Sequence, residues 1–138
     1  MAIKPTFTGR KFKDYWTTAG DFKGTVLDVN KSPKKSKDGC DQYFINISVD
    51  GHPAYAVHDR WVEDDKQTTV NALAMLTTGA MESLGIPYTA DEIADCEGVA
   101  GLIALWNTKG IVGRKVSYRI EERIGSNGTA RLQKVKFL

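Results

Sequence analysis

Residues 42–49, Gln-Tyr-Phe-Ile-Asn-Ile-Ser-Val, alternate without a break. On an extended chain Tyr43, Ile45, Ile47 and Val49 fall on one side, and Gln42, Phe44, Asn46 and Ser48 on the other. A period of two would scatter its apolar residues around a helix, so this stretch commits the chain to a sheet buried on one face. The run before it, Phe22 to Val29, carries Val26, Leu27 and Val29 and is interrupted by Gly24, where a bulge or sharp coil is expected. Between the two runs, Asn30-Lys31-Ser32-Pro33-Lys34-Lys35-Ser36-Lys37-Asp38-Gly39 has no apolar residue to bury. Pro33 and Asp38-Gly39 are turn formers for definite backbone reasons. The expected unit is a strand, a long loop projecting into solvent, and a second strand.

The rest of the chain is organised around that unit. Asp50-Gly51 makes a tight turn into a third strand, His52 to Val62, with Tyr55, Val57 and Trp61 alternating against Ala54, Ala56, His58 and Arg60. Tyr55 and Trp61 suit a core and a stacking platform equally. From Glu63 to Leu84 the period becomes helical, with Val70, Leu73, Leu76 or Thr77, Ala80, Met81 and Leu84 on one stripe and Glu63, Asp64 and Asp65 near the start. Gly85 and Pro87 end it. Thr89-Ala90-Asp91-Glu92 has the spacing of a capping box opening a short acidic helix, after which Gly98 and Gly101 interrupt the pattern before an apolar patch from Leu102 to Trp106. Strand chemistry returns at Gly113 to Glu121, with Val116, Tyr118 and Ile120 inward and Lys115, Ser117 and Arg119 outward. A glycine-rich hairpin loop, residues 123–128, then leads to a fifth strand from Ala130 to Phe137. Residues 1–19 mix Phe7, Phe12, Tyr15 and Trp16 with Lys4, Arg10, Lys11 and Lys13 without a clean period, which reads as a basic and aromatic arm before one domain at 20–138.

Charge is segregated along the chain. Residues 1–60 hold 10 Lys/Arg against 7 Asp/Glu, residues 61–100 hold 1 against 8, and residues 101–138 hold 8 against 2. The local balances of +3, −7 and +6 let a nearly neutral protein present a basic surface opposite an acidic one. Cys40 and Cys96 lie far apart in different kinds of segment, with neither a signal peptide nor an apolar stretch of membrane-spanning length. The expected compartment is a reducing cytoplasm, with the two thiols unpaired.

Five strands with helices between the third and fourth, and long loops after the first and fourth, resemble the OB-fold, a mainly β barrel whose ligand face lies on its second and third strands. Gly20-Asp21-Phe22-x-Gly24-x-Val26, the Lys/Ser loop closed by Asp38-Gly39, and the late Val112-Gly113-Arg114-Lys115-Val116 strand look like phage-encoded OB-fold single-stranded-DNA-binding proteins. That resemblance covers roughly residues 20–138. It implies a five-stranded barrel that binds single-stranded DNA without sequence preference during phage DNA replication or recombination, in the cytoplasm of the infected host. By position, Lys31, Lys34, Lys35 and Lys37 would contact phosphates, Phe44 and Tyr55 would stack on bases, and Arg123 would serve in the other loop. Trp16, Arg60 and Arg119 complete the expected DNA-binding set, since interleaved rings and cations track bases and phosphates. Many single-strand-binding proteins end in an acidic tail that recruits partners. This sequence ends Lys134-Val135-Lys136-Phe137-Leu138, so either the acidic middle third takes that part or such a tail lies outside it.

Catalysis has little to build on. His52 and His58 are six apart, no cysteine or carboxylate stands at a metal-ligand spacing from them, and His58 and Asp59 as strand neighbours point to opposite faces. Both histidines read as structural or surface residues. Asp64-Asp65 is explained by a helix start without any ion, and no phosphate-binding glycine loop is present. No enzyme activity, metal or cofactor is expected. The expected partners are single-stranded DNA, replication or recombination proteins and a second copy of the chain, with no membrane. An OB-like protein-interaction module, or an inhibitor docking an acidic host protein, would use the same basic, aromatic face.

Overall fold

The computed structural model describes residues 14–124 and 131–138. In chain order these form β1 (Asp14–Tyr15), β2 (Gly20–Lys31), β3 (Gln42–Ser48), β4 (Tyr55–Val62), α1 (Gln67–Leu84), α2 (Ala90–Ala94), α3 (Gly98–Thr108), β5 (Lys115–Ile124) and β6 (Arg131–Phe137). The sheet order is β1-β4-β3-β2-β5-β6. Five strands pair antiparallel, and β1 adds a two-residue parallel edge to β4. Among the described residues β4 and β6 do not pair, so the sheet is open rather than closed into the barrel expected from the sequence. The gap is covered by α1, which packs against both β6 and β4.

β2 is the strand that bends the sheet. Its first half, Gly20 to Thr25, pairs with β5, and its second half, Val26 to Lys31, pairs with β3, with a register shift between Val26 and Asp28. At the changeover a Cβ on Gly24 would lie 1.7 Å from the carbonyl oxygen of Ser48, so only glycine lets β2 pass the end of β3. Thr25 N–H donates to Ser48 Oγ at 2.8 Å and the Tyr118 hydroxyl donates to the Ser48 carbonyl at 2.9 Å, pinning the crossing from two sides.

The inward faces of the strands bury Val26, Ile45, Ile47, Val57, Val116, Tyr118 and Ile120 against Leu73, Ala80 and Met81 of α1 and Val99, Leu102 and Trp106 of α3. The helical stripe expected from the sequence is therefore the buried one. Two buried polar groups satisfy each other: Trp106 Nε1 donates to Thr77 Oγ1 at 3.0 Å, and that hydroxyl donates to the Leu73 carbonyl at 2.7 Å. Gly85 ends α1 in the left-handed conformation, and Thr89 with Glu92 forms the capping box expected of α2.

Three expectations are corrected. α1 starts at Gln67, so Glu63 is not in its first turn; the Glu63 carboxylate instead accepts from Val99 N–H at 2.8 Å and Ala100 N–H at 3.1 Å at the start of α3. Gly98 and Gly101 do not interrupt a pattern but belong to α3, whose start lies so close to Glu63 that a Cβ on Gly98 would sit 2.7 Å from its carboxylate. Arg123 and Ile124 are the end of β5 rather than the beginning of a loop, because the antiparallel ladder with β6 continues through Ile124. No helix of the described residues is long and apolar enough to cross a membrane.

Candidate functional site

The register of β2, β3 and β4 assembles one polar outer face. Asp28 pairs with Asn46, and Asn46 with His58; one row along, Asn30 pairs with Phe44, and Phe44 with Arg60. Directly paired residues share a face, so these six side chains stand together on the side away from the core. Phe44 and His58, diagonal neighbours across the β3–β4 ladder, stack with ring centroids 4.1 Å apart and planes 26° from parallel. β1 then lays Tyr15 on the other side of the imidazole, with centroids 4.4 Å apart and planes 28° from parallel. Among the described residues the result is a continuous ladder of three rings, in which Tyr15 is 41% exposed.

A hydrogen-bonded row crosses the three strands beside this ladder. Asn46 Nδ2 donates to Asp28 Oδ1 at 2.6 Å, and Asn46 Oδ1 lies 2.7 Å from His58 Nδ1. Since Asn46 Nδ2 donates to the carboxylate, Oδ1 is the amide atom facing His58 and must accept, so Nδ1 of His58 carries the proton. Burial holds the His58 pKa below its ordinary 6.5, against an opposing pull from Asp28, so the ring is neutral at physiological pH. Arg60 Nε donates to Gln42 Oε1, and Gln42 Nε2 donates to the Lys34 carbonyl at 3.2 Å, tying the edge of the face to the lysine loop.

The residues expected from the sequence are distributed unevenly over this geometry. Phe44 and Arg60 are on the face, and Lys34 and Lys37 are exposed in the adjoining loop with no ion pair among the described residues. Lys31 and Lys35 both reach Asp41, at 3.3 and 3.0 Å, and hold its carboxyl below the ordinary range. Arg119 is held by Asp21 through two hydrogen bonds, 2.7 and 3.2 Å, on the outer side of β5. The side chain of Arg123 lies outside the described residues, as does the arm before Asp14. Tyr55 and Phe44 are not brought together. Tyr55 shares the face of Val57 and Trp61, and it packs edge-on to Trp16 with centroids 5.7 Å apart. Trp16 is lodged among Phe22, His52 and Tyr55, at centroid distances of 5.5, 4.3 and 5.7 Å, where it closes the end of the core.

Sequence reasoning misses two members of the ladder. His58 reads as a structural or surface histidine, although setting residues 42–48 and 55–62 antiparallel makes it a diagonal neighbour of Phe44. Tyr15 reaches the face through a bridge of only two residues, which no periodicity announces.

Two concavities lie elsewhere. A cleft of about 710 Å³ opens between α1 and the unpaired edges of β4 and β6, lined by Trp61, Met75, Leu76, Phe137 and Leu138, with Asp59 at its wall. Trp61 Nε1 donates to Asp59 Oδ2 at 2.9 Å, but burial dominates and pushes the carboxyl up to about 6. A hollow of about 460 Å³ lies among the helices, between Val70, Ile93 and Leu102, with Glu63 and Asp65 at its mouth. Among the described residues no three His, Cys, Asp or Glu side chains converge as a metal site requires. Cys40 and Cys96 are unpaired thiols. Compared with protein-family models and with curated proteins, the sequence matches none.

Proposed function

We propose that this chain is an OB-like module that binds single-stranded DNA through the outer face of β2, β3 and β4. The reading includes a place in phage DNA replication or recombination and no catalytic role. The observation that carries it is the ladder of Phe44, His58 and Tyr15, three stacked rings on a polar and partly exposed face beside a loop where Lys34 and Lys37 have no ion pair among the described residues. A ring ladder of this kind extends naturally by one more ring, and every base supplies a π-face for it. Lys34, Lys37 and Arg60 stand where a backbone passing the ladder would need counter-charge. The strand order, with β2 central and helices between β4 and β5, supports the OB-like description although β4 and β6 do not close.

The test is a fluorescence titration with dT and dA oligomers at two salt concentrations, with duplex DNA as control. Trp16, next to the edge strand β1, is the reporter. Binding should weaken with salt and be far weaker for duplex. Phe44→Ala should cost about 1–3 kcal/mol through the missing base stack. Lys34→Ala should flatten the log–log salt dependence by roughly 0.7 for each phosphate that is no longer neutralised. No binding to any oligomer at low salt would discard this reading and favour a protein-interaction module.

A further inference from the structure

We infer that Asp28 gives this face a bias toward bases that present paired hydrogen-bond donors, guanine above all, and against thymine. The inference rests on the proposed single-strand binding and adds to it a chemical class of preferred ligand. Its basis is the polarity of the row Asp28–Asn46–His58. Both ends of the Asn46 amide are engaged within the row, one Nδ2 hydrogen on Asp28 and Oδ1 on His58 Nδ1. What remains is the second carboxylate oxygen of Asp28 and Nε2 of His58, both acceptors, together with the second Nδ2 hydrogen of Asn46, a residue that is itself buried. Neither acceptor is a buried atom lacking a partner among the described residues. The face beside the ladder therefore offers acceptors to whatever stacks there.

Asp28 also differs from nearby carboxylates in its charge balance. Asp21, Asp41 and Asp50 are paired with Arg119, with Lys31 and Lys35, and with Lys115, whereas Asp28 has no cationic partner among the described residues. A phosphate brought against it would be repelled, whereas a base edge carrying N–H donors would be attracted. Phe44 pairs with Asn30, two residues from Asp28, which makes Asp28 a diagonal neighbour of the ring. Such neighbours stand about 7–8 Å apart, a gap that a purine stacked beside Phe44 spans. Guanine presents N1–H and N2–H side by side, which matches the free oxygen of Asp28 and the lone pair that Oδ1 keeps beside its bond from Asn46. Adenine and cytosine present one amino group next to a ring acceptor. Thymine presents N3–H between two carbonyl oxygens, which a carboxylate repels. Bases of a single strand are read on this edge.

The experiment compares a dT oligomer with one of equal length carrying isolated dG residues, spaced so that they cannot stack into a four-stranded form, and a third with hypoxanthine in place of guanine. The wild-type protein should bind the dG oligomer roughly tenfold more tightly than the dT oligomer, as expected for one bidentate pairing with a base. Hypoxanthine, which lacks the 2-amino group, should lose most of that gain. Asp28→Asn should bring the ratio close to one. Equal wild-type affinity for all three oligomers, or a guanine preference that survives Asp28→Asn, would overturn the inference while leaving single-strand binding in place. Absence of binding to every oligomer would overturn the reading of the face itself. The hypoxanthine comparison needs no variant, so it decides the matter even if Asp28→Asn fails to fold.

Discussion

Replacing Asp59 by Asn should make the protein more stable, and only above a particular pH. Asp59 faces inward on β4 opposite Ile45, and its carboxyl is pushed from the ordinary 3.8 to about 6, mainly by burial and against the hydrogen bond from Trp61. The folded state therefore holds this proton more tightly than the unfolded chain does. Between those two values folding takes up a proton, and the stability conferred by the protonated form, complete below the ordinary value, is lost as pH rises through about 6. At about 1.4 kcal/mol per pKa unit the full shift corresponds to roughly 3 kcal/mol. Asp59 is half-buried by accessible area, so water screens part of the charge and about 2 kcal/mol is the better figure. Asn keeps an acceptor for Trp61 Nε1 and carries no charge. Asp21, Asp41, Asp64 and Glu92, held below their ordinary values by hydrogen-bonded partners, lose stability as pH falls, but equally in both proteins. They cancel in the difference. Urea unfolding across a pH series should show the two proteins nearly equal at about pH 4 and Asp59→Asn ahead by about 2 kcal/mol at about pH 8. A difference that does not change with pH, or a variant less stable at the alkaline end, would refute the assignment of a costly buried charge.

Gly24→Ala places a methyl group 1.7 Å from the Ser48 carbonyl oxygen, and with backbone on both sides the clash should cost about 3 kcal/mol, read as a lowered urea midpoint. A midpoint equal to wild type would mean that β2 does not cross β3 this closely. Glu63→Ala removes the acceptor for two N–H groups at the start of α3 and should cost about 1–2 kcal/mol by the same assay. Equal stability would show those groups satisfied by water. His58 should titrate below 6.5 and carry its proton on Nδ1, both visible in nitrogen-15 spectra of the imidazole. A higher midpoint, or a proton on Nε2, would break the row from Asp28 to His58.

The sheet faces were legible because alternation over residues 42–49 survives any tertiary context that buries one side. Ile45, Ile47 and Val49 are in the core and Tyr43 is partly so, although Gln42 and Asn46 on the other face are also covered, within their own hydrogen bonds. The stripe of α1 was legible for the same reason at the helical period, with Leu73, Ala80 and Met81 fully buried. What could not be read were the relations between elements. Glu63 stands just before α1 in sequence, and nothing local says that its carboxylate serves α3, 36 residues on. Lys31 and Lys35 look like free cations in a polar loop, yet the loop returns Asp41 to a place between them. Tyr55 and Phe44 are both strand aromatics, and only the β3–β4 register puts them on opposite faces. Local patterning thus located Phe44 and the lysine loop, whereas the ladder with His58 and Tyr15 depends on register and on a two-residue bridge.

The open seam between β4 and β6 gives the wall of the core two kinds of fastening with different responses to temperature. Elsewhere around the sheet, neighbouring strands are held by backbone hydrogen bonds, whereas among the described residues β6 and β4 do not pair and α1 packs against both. Apolar packing weakens on cooling, and hydrogen-bonded ladders do not share that dependence to the same degree. The α1–β6 seam is therefore the part of the enclosure that loosens first in the cold. It would carry the cleft between Trp61, Phe137 and Leu138 with it, while the outer face of β2, β3 and β4 keeps its shape.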